Sequence, residues 1–362
     1  MRSRTFITLD GLRGVAAIAV AVGHYRSFVE PISAERAYLA VDLFFMLSGF
    51  VLAYSYEQQL TSTMSSWDFM RRRLIRLYPC YLLGTLAWAV GAAAAVSAHA
   101  HVTWTARNLS ATVLAAIFFA PAPWSGPQGG FLYPLDIPAW SLLWELLINL
   151  FYALMARRLS NTLLISLIAV SGLTLILVSI VIGNINVGPT WSMAFGGAPR
   201  VAFGFFIGVG IFRLHAANKL PRLHLPATVL LGLCAALLVS RPGALGGIFD
   251  AVVVLGFFPC IVAAAVQIEP VRAARVFTLL GIISYPFYTI HYPALQYLVR
   301  LLSTVSQSHM KILTPWLGLF VIAGLLVVSW WIDRYLDSPV RKWLANVAKP
   351  KTKSQHYIGD RA

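Results

Sequence analysis

Five ionisable side chains, Arg13, His24, Asp42, Glu145 and His291, interrupt runs of sequence that are otherwise apolar. A charged group in hydrocarbon costs at least about 2.5 kcal/mol on insertion scales, so each of the five needs a partner or a function. Imidazoles suit proton transfer near neutral pH, and a carboxylate suits holding an imidazole in one tautomer. Arg13 precedes His24 by eleven positions, which is about 16 Å if both lie on one helix. A basic cluster follows at Arg71, Arg72, Arg73 and Arg76, with Tyr78 beside it.

The elements that must carry these residues follow from composition. Of 362 residues 59% are hydrophobic and 11% charged, with a mean hydropathy of +0.74; soluble domains average about 25% charged. The chain is therefore read as one integral membrane domain, residues 1–345, with a basic tail at 346–362. A hydrocarbon core of about 30 Å asks for roughly 20 apolar residues per helix. Ten segments qualify, at 12–29, 37–56, 77–96, 137–155, 163–182, 201–212, 227–239, 248–266, 276–298 and 312–332. A shorter one, 109–120, leads into the uncharged Pro/Gly-rich stretch 121–134 and reads as re-entrant or interfacial. The fold class is all-α and polytopic.

Counted from the inner end of its own helix, His24 lies at roughly 18 Å, Asp42 at about 20 Å, Glu145 at about 15 Å and His291 at about 22 Å. Interhelical hydrogen bonding would account for any one of them, and less readily for four at one level. Coenzyme A thioesters, with phosphates at one end of a long thin arm, match an arginine cluster at one end and an imidazole at the other.

The net charge of +15 sits between apolar segments, where Lys and Arg mark the cytoplasmic side, so nucleic acid is not an expected partner. An inside N-terminus puts about 21 of the Lys and Arg residues on that side and makes both termini cytoplasmic. The first segment lacks a small-residue cleavage site and reads as a permanent span. Cys80, Cys234 and Cys260 are far apart and without a nearby histidine pattern, so neither a disulfide framework nor a metal site is expected. Gly204 and Gly208 form a GxxxG that asks for close helix packing.

LDGLRGVAAIAVAVGHY (9–25), VDLFFMLSGFVLAYSY (41–56), RRRLIRLYPCYLL (71–83), WSLLWELLINLFY (140–152) and ISYPFYTIHYPAL (283–295) together resemble, in order, the motifs of the membrane-bound acyltransferase-3 family. Its members are O-acetylases of bacterial polysaccharides and related acceptors. The departures are the absence of a second acidic residue beside Glu145 and the expected absence of an esterase-like domain after the last helix, whose step would fall to another protein or not occur.

The resemblance implies a plasma-membrane O-acyltransferase taking an acetyl or short acyl group from cytoplasmic acetyl-CoA. Arg13, Arg73, Arg76 and Tyr78 would bind that donor. His24 would be the general base, or itself carry the acyl group as a covalent relay, Glu145 or Asp42 would fix its tautomer, and His291, Tyr285 or Tyr288 would steady the oxyanion. The expected partners are the acyl-CoA, a carbohydrate or glycolipid acceptor and the bilayer, with homo-oligomerisation left open. Aromatics in 124–133 could stack a sugar, or sit in an ordinary interfacial belt. A flippase for a lipid-linked saccharide is the rival from another class; it would be favoured by internal repetition, which the two halves do not show.

Overall fold

The computed structural model describes residues 6–98, 104–123, 130–222, 225–270, 273–302 and 312–348. These are almost wholly helical, with a lone antiparallel bridge between Phe131 and Thr190. In chain order the α-helices are α1 (Ile7–His24), α2 (Arg26–Val29), α3 (Ala40–Ser62), α4 (Ser66–Ser97), α5 (Ala106–Ile117), α6 (Trp140–Met155), α7 (Asn161–Ile182), α8 (Gly197–Ala216), α9 (Ala227–Val239), α10 (Gly246–Val252), α11 (Phe258–Ala265), α12 (Ala274–Leu301), α13 (Trp316–Ile332) and α14 (Ser338–Val347). π-Helical turns, Val253–Phe257 and Asp333–Asp337, join α10 to α11 and α13 to α14.

Among the described residues, eight helical segments are long and apolar enough to cross a membrane, against the ten expected. The two that fall short do so for different reasons. α9 has 13 residues, about 20 Å of helix. α12 is long enough at 28 residues, but Ser284, Tyr285, Tyr288, Thr289, His291 and Tyr292 make it too polar to stand out. α5, at 12 residues, is about 18 Å long and too short to cross, as expected for 109–120.

The outward faces identify the solvent. On α7, Ile165, Val170, Leu173, Leu177, Ile180 and Val181 are exposed, and on α13 so are Phe320, Val327 and Trp331. Water would not tolerate so continuous an apolar surface, whereas lipid would. The protein is a multi-pass membrane protein.

At the centre, α1 packs along α12, α3 along α8, and α4 against α12. Backbone-to-backbone approach makes this possible. A Cβ on Gly208 would lie 2.2 Å from Met46 O, and one on Gly49 2.0 Å from Phe205 O, so the GxxxG of α8 and a glycine of α3 interlock without side chains between them. Pro293 lacks the N–H that would bind the Thr289 carbonyl four residues back. Gly84 of α4 approaches that carbonyl so closely that a Cβ would come within 2.1 Å of it.

The expected tail boundary at 345 falls inside α14, and residues 349–362, like Arg2 and Arg4, lie outside the described residues.

Candidate active site

α1 ends at His24. The next turn, Tyr25 to Phe28, starts the short α2, and Tyr25 donates its hydroxyl to His291 O at 2.9 Å, tying the end of α1 to α12. His24 is thus a terminal residue of its helix, not a mid-span one, and its ring is exposed to a cavity instead of packed among apolar side chains.

The two histidines meet: His24 Nδ1 is 3.0 Å from His291 Nε2. Their tautomers follow from what surrounds them. His291 Nδ1 faces the Tyr288 carbonyl at 2.7 Å and the Phe287 carbonyl at 3.2 Å. Carbonyl oxygens only accept, so this nitrogen carries the proton. In neutral His291, Nε2 is then an acceptor, and His24 Nδ1 must donate to it. That leaves the lone pair of His24 on Nε2, the arrangement a general base needs.

Neither carboxylate expected to orient His24 does so. Asp42, in the first turn of α3, accepts from Arg200 Nε at 3.0 Å and Nη2 at 2.7 Å. The same guanidinium donates to Val187 O at 2.9 Å and Tyr38 O at 2.7 Å and stands over the Trp140 ring at 5.2 Å. Both members of the ion pair are fully buried. With both oxygens engaged by arginine, Asp42 is a strut between α3 and α8, and its expected catalytic role is corrected on that ground. Glu145 accepts from Arg73 Nη2 at 2.5 Å and from Ser48 Oγ at 2.9 Å. It lines the arginine cavity described next, away from the histidines.

Two cavities lie toward opposite ends of α1. The first, about 200 Å³, is lined by Arg13, Arg73, Arg76, Ser48, Glu145 and Ser284, among others. The second, about 410 Å³, is lined by His24, Tyr292, Tyr38, Trp140, Phe131 and Glu35, among others. Val41 and Tyr288 belong to both walls, so the cavities meet at that pair. The Tyr288 hydroxyl is 2.8 Å from Ser141 Oγ and 3.1 Å from Pro138 O, and its ring packs edge-on against Phe44.

The arginines expected to share one site stand together in part. Arg13, Arg73 and Arg76 line the first cavity, and each has a carboxylate: Asp10 at 3.3 Å, Glu145 at 2.5 Å and Asp337 at 3.5 Å. Arg73 Nε and Arg76 Nη1 are buried without a hydrogen-bond partner among the described residues, and Arg76 Nη1 is the nitrogen turned toward Asp337. Arg71 is spent on Asp68 and Ala348 O.

Tyr78 is corrected. Its hydroxyl donates to Ile117 O at 2.7 Å, pinning α5, and it is absent from the cavity wall. Tyr285 donates to Leu77 O, so its hydroxyl is engaged too. Of the aromatic stretch 124–133, residues 124–129 lie outside the described residues, while Phe131 lines the histidine cavity.

Sequence reasoning missed Arg200, Ser141 and Asp337. A signal existed for the first: Arg200 sits in an apolar run, as does Asp42, and unlike charges in hydrocarbon are expected to find each other.

A polytopic helical protein with a paired imidazole in one cavity and arginines in an adjoining one has the parts of a membrane group-transfer enzyme. The acyltransferase domain profile of the acyltransferase-3 family matches residues 6–334. The chain belongs to that family. It is 37% identical over 183 residues to protein 2 in the picA locus of Rhizobium radiobacter, covering 47% of this chain and 92% of that protein. It is 33% identical over 138 residues to the exopolysaccharide production protein ExoZ of Rhizobium meliloti (strain 1021), covering 38% of this chain and 39% of that one. No solved structure matches it.

Proposed function

We propose that the protein is an O-acyltransferase that moves an acetyl or short acyl group from acyl-CoA to a hydroxyl of a surface carbohydrate, with His24 as general base. The observation that carries this reading is the pair of cavities meeting at Tyr288, one offering arginines and the other an imidazole with a fixed tautomer. The family supports acyl transfer. The name of the ExoZ relative supports a polysaccharide acceptor, as do the aromatic side chains Trp140, Tyr38 and Phe131 around His24.

In this reading the donor's phosphates lie on the side of Arg13, Arg73 and Arg76, which the bias of basic residues assigns to the cytoplasm of a bacterial inner membrane. The pantetheine arm extends toward Tyr288. The acceptor hydroxyl, in the second cavity, attacks the thioester carbonyl carbon as His24 Nε2 takes its proton. Tyr288, on both walls, turns its single hydroxyl proton from Pro138 O to the carbonyl oxygen as negative charge develops there, while Ser141 keeps its own bond to Pro138 O. The C–S bond then breaks, and the proton returns from His24 to the departing thiolate. His291 holds the ring of His24 and stabilises its imidazolium, a role taken by a carboxylate in hydrolase triads.

The test is transfer from acetyl-labelled acetyl-CoA to polysaccharide in membranes. Arg73→Ala raises the KM for acetyl-CoA more than it lowers kcat, because the contact is remote from the reacting carbon. An unchanged donor KM would remove the site from this cavity. His291→Ala lowers kcat by roughly 10- to 100-fold, the loss typical of an orienting partner. His291→Gln, which keeps an acceptor within reach of His24 Nδ1, recovers part of it. Equal rates for Ala, Gln and wild type would show that the dyad does not set the tautomer.

A further inference from the structure

The three arginines of the first cavity differ in where their carboxylates stand. Glu145 is itself part of the cavity wall, and Asp10 is partly exposed. Asp337 is fully buried and is not part of the wall, so it approaches Arg76 from behind. It closes the π-helical turn Asp333–Asp337 between α13 and α14. Its Oδ2 is 2.8 Å from Arg341 Nε and 3.5 Å from Arg76 Nη1, and Asp333 takes the other side of Arg341 at 3.1 Å. The Cys80 thiol also faces it. Arg71 Nη1 donates to Ala348 O at 2.6 Å, fastening the far end of α14 to α4.

We infer that Asp337 is a positioning residue for the acyl donor: with Tyr285, whose ring lies 5.3 Å beneath the Arg76 guanidinium, it holds Arg76 facing the cavity, so that the C-terminal segment completes the donor's phosphate site. This inference rests on the acyl-CoA reading above.

The physical reason is conformational. A free arginine loses rotamer entropy when it is fixed on an anion. A counter-charge buried behind the guanidinium fixes it beforehand and cannot be displaced by the ligand, whereas a carboxylate in the cavity wall would compete with phosphate. The contact is far from the reacting carbonyl, so its loss weakens ground state and transition state alike and appears in KM.

The experiment measures KM and kcat for acetyl-CoA with full-length protein in membranes for wild type, Arg76→Ala, Asp337→Asn and Asp337→Glu. Asp337→Asn is expected to raise KM roughly tenfold with kcat changed less than about twofold. Asp337→Glu, which keeps the charge but shifts it by one methylene, is expected to raise KM roughly threefold. In the Arg76→Ala background Asp337→Asn adds nothing further, because the residue it positions is gone.

Three results overturn the inference while leaving the donor site standing. These are a raised KM in Arg76→Ala with none in Asp337→Asn, a fall in kcat alone, or an Asp337→Asn effect that persists without Arg76. If Asp337→Asn does not accumulate in membranes, Asp337→Glu decides, and an unchanged KM in that variant overturns the inference. An unchanged KM in Arg76→Ala and Arg73→Ala together would instead remove the donor site and the inference with it.

Discussion

His24→Ala is expected to lower acyl transfer by about 10²- to 10⁴-fold, the usual contribution of a positioned general base. The donor KM should hardly move, since the arginines that would hold the phosphates line the other cavity. His24→Gln should be no better: an amide occupies similar space but offers no basic nitrogen at neutral pH. The readout is the initial rate of labelled acetyl transfer, at saturating acetyl-CoA, in membranes holding equal amounts of each variant. A rate within threefold of wild type would show that the acceptor proton leaves by another route, and the mechanism would fall.

Asp42→Ala should act on the fold. It strands the fully buried guanidinium of Arg200, and breaking a buried pair by removing one partner costs about 3–5 kcal/mol. Tyr38 O and Val187 O still accept from Arg200, but they cannot neutralise it. Arg200→Ala should cost as much for the mirror reason, and the double variant less than the sum of the two, because no unpaired charge remains. Thermal midpoints and monodisperse yield in detergent measure this. Asp42→Ala with a wild-type midpoint but no activity would return the aspartate to the chemistry.

The helices were largely legible because a bilayer demands long apolar runs. Of the candidate site, residue types and their order were legible: His24, Glu145, His291, Arg13, Arg73 and Arg76 stand in a cavity wall or in the histidine pair. What could not be read was which way each side chain turns. Depth along a helix fixes one coordinate and leaves rotation about its axis open, so Asp42 and Glu145 seemed to share a level with His24 while facing other partners. Asp42 and Arg200 are 158 positions apart, and their meeting depends on how α3 crosses α8. Tyr78 and Tyr285 were placed by motif, but their hydroxyls are taken by backbone carbonyls. The segment 276–298 was legible and forms α12, even though its polar residues leave it outside the helices that are long and apolar enough to cross a membrane.

The side-chain wall at Val41 and Tyr288 also bears on the electrical integrity of the bilayer. An energised membrane loses its stored gradient through any continuous file of water. Here the two hollows share one aliphatic and one aromatic lining side chain, the aromatic one held by Ser141 and Phe44. On the acyl-CoA reading, an acyl tip would have to pass this pair of side chains to reach His24.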